Sequence, residues 1–197
     1  MAVVAISSDN SCMKLLTIAL LLFIANMAHS QVSDSLIYWG TREVVWSDFK
    51  GQPKDMGETV AMTSIEMGCR SASTKADTVI LDVYCAFRLY YSWTKLQTAE
   101  ILRHEQKHFD IGEMYMRILR SRILQERFTY QNLNSKLKIL KEEAQMGFNV
   151  YSDQYDRETS HSKNVIKQKE WEARIAKELA DLSAYSNRII KIKVYRQ

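Results

Sequence analysis

The chain has 197 residues, of which 46% are hydrophobic and 25% charged, as is ordinary for a globular protein. The net charge at pH 7 is +4, and the basic residues are scattered among acidic ones. A nucleic-acid-binding protein usually carries a basic stripe, so we expect no nucleic-acid partner. With a single proline and six glycines, the chain has few signals for linkers. We therefore expect one domain over residues 31–197.

The N-terminus has the pattern of a signal peptide. Lys14 precedes an apolar run over residues 15–25, and the small residues Ala28 and Ser30 follow it. This order predicts cleavage after Ser30, with Met13 as a candidate start. The apolar run is short for a membrane span, although an uncleaved anchor is the alternative. We expect export to the periplasm or the outside, with no membrane attachment after cleavage.

Two cysteines follow the signal peptide, in segments that alternate apolar and polar residues. A hairpin turning symmetrically about Asp77 would place Cys69 directly opposite Cys85. Opposed side chains of an antiparallel pair can lie close enough for a disulfide. Because exported proteins fold in an oxidising compartment, we predict a Cys69–Cys85 disulfide. The alternative is two free cysteines in the core.

The remaining elements predict an α+β fold. Residues 36–53 suggest a strand ending in a turn, and the cysteine hairpin spans about 59–90. A long helix capped by Ser92 or Thr94 should follow, then helices over about 132–155 and 164–185. The alternating tail, 188–197, could return to the sheet edge. We predict an antiparallel sheet packed with three helices.

The first long helix carries the motif HExxH. His104 and His108 are four residues apart and would share one helix face, so both can bind one metal ion. Glu105 would lie at the edge of that face, within reach of a water molecule at the ion. Neutral imidazoles leave zinc Lewis-acidic, and a carboxylate can accept a proton from water. A solvated polar stripe is the alternative, but we favour a metal site on this first helix.

Catalytic zinc normally has three protein ligands. The metzincin pattern fails because Ile111 and Met114 stand where it needs glycine and histidine. A glutamate from a later helix is possible, and nothing distinguishes the three available ones, which are Glu126, Glu142 and Glu143.

A second polar cluster lies where the second helix gives way to the third. The segment QYDRETSHS, residues 154–162, contains the only other histidine beyond the signal peptide. Its polar residues could converge on a neighbouring helix, or they could simply cap the junction. The scarcity of histidine favours His161 as the third ligand, with Glu158 and Asp156 as the next candidates.

Several stretches together resemble a known family. They are VVWSDFKGQP, AMTSIE, LRHEQKHFDIGEMYMR and YDRETSHS, with Gln168 and Trp171 beyond. They are similar to a bacterial family of predicted secreted zinc-dependent proteases, catalogued as domain of unknown function nine-two-two. The resemblance implies a zincin-like metallopeptidase with His104, His108 and His161 as ligands and Glu105 as general base. Ser162 stands where the family often has glycine.

We therefore expect a secreted or periplasmic zinc peptidase that hydrolyses a peptide or protein substrate. Tyr155 or Tyr115 could stabilise the oxyanion, although each could equally be a packing residue. One alternative is a non-catalytic envelope protein in which zinc only joins helices. The intact Glu105 argues against it, as does the four-ligand habit of structural sites. A metal-free helical binding module is the third hypothesis.

Overall fold

The structure, a computed structural model, describes residues 35–196. The predicted signal peptide, with Met13, lies outside the described residues. The strands are β1 (Leu36–Tyr38), β2 (Ala61–Met62), β3 (Ile65–Lys75), β4 (Thr78–Arg88), β5 (Trp93–Thr94), β6 (Phe128–Thr129) and β7 (Ile189–Tyr195). The helices are α1 (Ala99–Gln125), α2 (Leu133–Thr159) and α3 (Val165–Asp181).

The main sheet is built around β4. Strand β3 pairs antiparallel with β4 along one edge, and β7 pairs antiparallel with the other edge. Strand β1 also neighbours β4, and β6 runs parallel to β7. The short strands β2 and β5 form a separate antiparallel pair. Three helices accompany this curled, mostly antiparallel sheet, so the predicted α+β fold is confirmed.

The C-terminal strand follows directly from its alternation. Ile190, Ile192 and Val194 are buried, and the residues between them are exposed. Such a pattern of period two suits a strand with one face on the core. The tail returns to the sheet as predicted, although β7 lies between β4 and β6 rather than at the sheet edge.

The predicted disulfide is not present. The β3–β4 register pairs Cys69 with Val83 and Cys85 with Met67, so the two cysteines are diagonal neighbours rather than opposite ones. Diagonal positions lie about 7–8 Å apart, beyond the usual reach of a disulfide. The hairpin turns at residues 76–77, and an irregularity between Ser71 and Ser73 shifts the register. Both thiols are free, and burial raises the pKa of each.

Helix α1 begins later than predicted, because residues 93–94 form β5 instead. Thr98 caps the helix, and its side chain accepts a hydrogen bond from the Ile101 N–H at 3.2 Å. The prediction of a cap at Ser92 or Thr94 was therefore wrong. Pairing of Met62 with Trp93 explains this, since it commits the segment to a sheet.

Helix α1 is buried on two sides, which fixes the face that carries its histidines. One side packs on the sheet through Phe109, Met116, Leu119 and Ile123. The other side packs on α2 and α3, where Ile111 and Met114 meet Tyr155, Trp171 and Ile175. His104 and His108 continue this second side toward the N-terminus of the helix.

Gly112 allows α1 to approach the sheet closely. A Cβ atom there would lie 2.3 Å from Ile65 Cδ1 and 2.8 Å from Cys85 Sγ, inside any real contact distance. The helix therefore packs directly on the β3–β4 hairpin at this point.

The other predicted elements differ mainly in length. Helix α2 runs on to Thr159, while α3 ends at Asp181 and is followed by a short 3-10 turn at Ser183–Tyr185. The predicted strand over residues 36–53 is limited to β1, and a 3-10 turn follows at Trp46–Asp48. Within residues 35–196, none of the helices is long and apolar enough to span a membrane.

Candidate metal centre

Three side chains from two helices converge on one point. His104 and His108 come from α1, and Asp156 comes from the last turns of α2. Asp156 Oδ1 lies 2.9 Å from His104 Nε2 and 3.0 Å from His108 Nε2. One donor atom from each residue lies within 4.8 Å of the others, the only such group among the described residues.

The donor set fits a divalent metal ion such as zinc. Zinc takes imidazole nitrogen and carboxylate oxygen at about 2.0–2.2 Å, and three protein ligands are typical of its catalytic sites. The two histidines and Asp156 supply that number and those atom types. Sulfur donors are not part of the group, since Cys69 and Cys85 lie in the sheet hairpin.

Hydrogen bonds orient both histidines toward this point. His104 Nδ1 lies 3.1 Å from the amide oxygen of Gln168, and His108 Nδ1 lies 2.9 Å from Ser152 Oγ. The amide oxygen can only accept, so this contact is a hydrogen bond in the tautomer of His104 whose Nδ1 carries the proton. In such a tautomer Nε2 is the nitrogen that can bind a metal, and ligating histidines are usually held this way.

The ionisable groups of the cluster shift one another's pKa values. Burial alone would raise the pKa of Asp156, but hydrogen bonds from His104 and His108 hold that pKa far below its usual range. For His108 burial favours the neutral form, yet Asp156 and Glu105 raise the pKa above its ordinary value. The site thus favours positive charge beside an ionised Asp156.

Glu105 follows His104 directly and is only 5% exposed. Its Oε2 atom is buried without a hydrogen-bond partner among the described residues. An unpaired buried carboxylate oxygen is costly, and native proteins rarely keep one without a reason. Glu105 also lines the cavity beside the histidines.

The cavity has a volume of about 600 Å³, within the usual size of a ligand site. The residues that line it come from β2 and the segment before it, from α1, from α2 and from the turn after α2. The lining residues used below are Glu58, Met62, Glu105, Phe148, Asp153 and Lys163.

His161 lies at the rim of the cavity. Its Nδ1 atom is 3.5 Å from Asp156 Oδ1, and its side chain is 70% exposed. Ser160, His161 and Ser162 all have positive φ, between 51° and 72°, a conformation that costs non-glycine residues roughly 1–3 kcal/mol each. This left-handed turn brings the chain back so that His161 reaches Asp156. His161 is thus close to the cluster, although Asp156 completes it.

The other candidate carboxylates lie outside the cluster. Glu158 is held by Trp171 Nε1 at 2.9 Å and Gln154 Nε2 at 2.8 Å, on the side of α2 that meets α3. Glu126, Glu142 and Glu143 form ion pairs with Lys136, Lys138 and Arg122. None of these four residues lines the cavity.

The structure assigns the two tyrosines to packing. Tyr155 is fully buried, stacks on His104 with ring centroids 4.5 Å apart, and accepts a 2.7 Å hydrogen bond from Gln168. Burial raises the pKa of its phenol. Tyr115 packs against Gly147 and Tyr151 between α1 and α2. Neither tyrosine is among the residues that line the cavity.

Ser152 and Asp153 line the cavity from α2, although no motif in the sequence marks them. With Asn149 and Asp156 they recur every three or four residues, the spacing of one helix face. That periodicity was visible in the sequence. What it could not supply was the orientation of α2, which follows from packing with α1.

The chain matches no protein-family model, no curated protein and no solved structure. The resemblance to the secreted zinc-dependent proteases therefore stays a prediction, and the function is argued from the side chains alone.

Proposed function

We propose that the protein is a zinc-dependent hydrolase that cleaves peptide bonds. The observation that carries this proposal is the convergence of His104, His108 and Asp156 beside the unpaired, buried carboxylate of Glu105. A purely structural metal site would need no free carboxylate and no open cavity at its side.

The proposed ligands are His104, His108 and Asp156, with Gln168 and Ser152 fixing the imidazoles. A zinc ion supplies Lewis acidity, which polarises a carbonyl and lowers the pKa of water. Glu105 would take the proton from the attacking water and pass it to the leaving amine. Its burial beside the cavity suits that task, because a carboxylate without competing hydrogen bonds is a free acceptor.

The free edge of β2 favours a peptide as the substrate. The Val60 carbonyl accepts a hydrogen bond from Lys95 N–H at 2.6 Å, so the backbone N–H and C=O groups of Val60 point toward β5. Because these backbone groups alternate along a strand, those of Ala61 and Thr63 point away from β5. Within residues 35–196, β2 pairs only with β5. An extended peptide could therefore add to this edge, which lines the cavity.

The proposal is tested with purified protein, by zinc analysis and by assay on a broad peptide library. Glu105→Gln keeps the shape of the side chain and removes the base. Zinc content and melting temperature should therefore barely change, while hydrolysis should fall about 10²-fold or more. His104→Ala should lose both zinc and activity, since two ligands hold zinc poorly.

Glu142→Gln is the matched control, an exposed glutamate of α2 that does not line the cavity. Full activity of Glu105→Gln on a cleaved peptide would refute the proposed mechanism. Bound zinc in a protein that cleaves no member of the library would favour the structural role instead.

A further inference from the structure

One carboxylate of the cavity has no task in the proposed reaction. Asp153 lies on α2 one turn before Asp156, lines the cavity and is exposed. Among the described residues, no side chain or backbone group forms a hydrogen bond or ion pair with it. Most surface carboxylates of this helix do have partners, as Glu142 and Glu143 illustrate.

The neighbouring charges are already balanced. A divalent ion would be offset by Asp156 and Glu105, and the cation Lys163 pairs with Glu58 at 3.4 Å. Asp153 forms no hydrogen bond or ion pair of its own among the described residues, and its negative charge acts on the nearby His108. A carboxylate that lines an open cleft in this way attracts a ligand of opposite sign.

The cavity that Asp153 lines also has apolar side chains, which suit an amphipathic ligand. Phe148, five residues earlier on α2, and Met62, on β2, are both partly buried and line it. Lysine and arginine lay an apolar stem along such a surface while their charged end stays at a polar group. A neutral or acidic side chain would leave Asp153 unpaired or would repel it.

We propose that Asp153 forms a subsite that selects a lysine or arginine side chain of the substrate. This inference rests on the proposed function, because it assigns a specificity to the same cavity. Glu105, which is 5% exposed, lines the same cavity and has a carboxylate oxygen without a hydrogen-bond partner among the described residues, and this is the independent sign that a ligand binds there.

The test measures binding separately from cleavage. Fluorescein-labelled alanine hexapeptides carry one lysine, glutamine or glutamate, scanned through every position. Fluorescence anisotropy gives their affinity for zinc-loaded Glu105→Gln protein, and kcat/KM is measured with the wild type. At one position lysine should be preferred over glutamine by about tenfold, the scale of a hydrogen bond to a charged group. When Asp153→Asn is introduced into either protein, it should abolish that preference, whereas Asp153→Glu should keep part of it.

Glu142→Gln again serves as the control and should keep the preference. Since Asp153 is exposed, added salt should also weaken the preference for lysine in protein that retains Asp153. That measurement needs no altered Asp153 and so does not depend on how the variant folds. A preference retained in Asp153→Asn, or no lysine preference at any position, would overturn the inference.

The two proposals fail in different ways. In one outcome the wild type binds lysine selectively through Asp153 and yet cleaves no peptide. That result would refute the proposed peptidase activity and support the proposed subsite. Cleavage without lysine preference would keep the peptidase and overturn the subsite.

Discussion

At the scale of single residues, the two histidines were predictable because their spacing depends only on helix geometry. Residues four apart meet on one face of any α-helix, whatever the fold. The third donor depends on how α2 packs against α1, and helix periodicity within α1 holds no information about that. Asp156 and His161 are close in sequence, and both end near the histidines. Only the tertiary structure makes Asp156 the member that meets both imidazoles.

Gln168 is the residue whose role can be tested most cleanly at this scale. It is 4% exposed and holds His104 Nδ1 and the Tyr155 hydroxyl together. Removal of its amide should free the His104 ring and weaken zinc binding by about 10–100-fold, the usual effect of such supporting groups. We predict this loss for Gln168→Met in a competition titration with a chromogenic chelator.

Gln125→Met is the control, because Gln125 is exposed at the end of α1 and, within residues 35–196, its side chain bonds only Ser121. It should bind zinc as the wild type does. Unchanged affinity in Gln168→Met would mean that Gln168 contributes packing alone.

At the scale of elements, the sequence predicted which segments are strands and helices better than it predicted their register. Alternation defines the core face of β3 and β4, but the register depends on the turn. A two-residue turn and an irregularity moved Cys69 away from Cys85. Similarly, Thr98 caps α1 rather than Ser92 or Thr94, because the β2–β5 pairing places residues 93–94 in a strand.

A buried ion network also escaped the sequence analysis. Glu113 on α1 binds Arg117 at 3.0 Å and Arg120 at 2.8 Å, and Arg120 is almost fully buried. Arg120 further donates to the carbonyls of Val83 and Tyr185. Spacings of three, four and seven residues are common on helix surfaces, so they do not by themselves indicate a buried network. The network instead joins α1 to β4 and to the turn before β7.

Asp82 links three strands and gives the fold a pH dependence. This buried residue of β4 accepts hydrogen bonds from Arg70 of β3 at 3.0 Å and from Arg188 before β7 at 2.7 Å. Burial alone would raise the pKa of Asp82, but the two arginines hold that pKa below its usual value. The folded state therefore binds the proton less readily than the unfolded state does.

A carboxyl group of this kind stabilises the fold above its unfolded pKa of about 3.9. The stabilisation is lost as the pH falls below that value and through the folded pKa. We predict that Asp82→Asn lowers the free energy of unfolding by about 1–2 kcal/mol at pH 7, a range reduced because both arginines are partly exposed. The difference should shrink as the pH falls below about 4.

Urea unfolding followed by circular dichroism between pH 3 and pH 7 measures both effects. Asp181→Asn, at an exposed pair on α3, should change stability little at any of these pH values. A difference between Asp82→Asn and wild type that stays constant below pH 4 would contradict the assigned role of Asp82.

At the scale of the whole molecule, the sheet holds α1, and α1 presents its histidines to α2 and α3. Its sheet side is anchored by a large apolar cluster, and its other side by a smaller one around Tyr155 and Trp171. The proposed site lies where that second cluster ends and the cavity opens. The composition indicated a globular domain, but only this arrangement of layers explains why a cavity forms beside the HExxH motif.

The central claim is that one metal ion binds between His104, His108 and Asp156. Zinc K-edge X-ray absorption on purified, zinc-loaded protein, combined with metal analysis, tests it most directly. We predict one zinc per chain, bound by imidazole nitrogen and by oxygen but not by sulfur. Asp156→Ala should lose the zinc, and His161→Ala should keep it. Protein without stoichiometric zinc, sulfur among the ligands, or zinc that depends on His161 but not on Asp156 would contradict the claim.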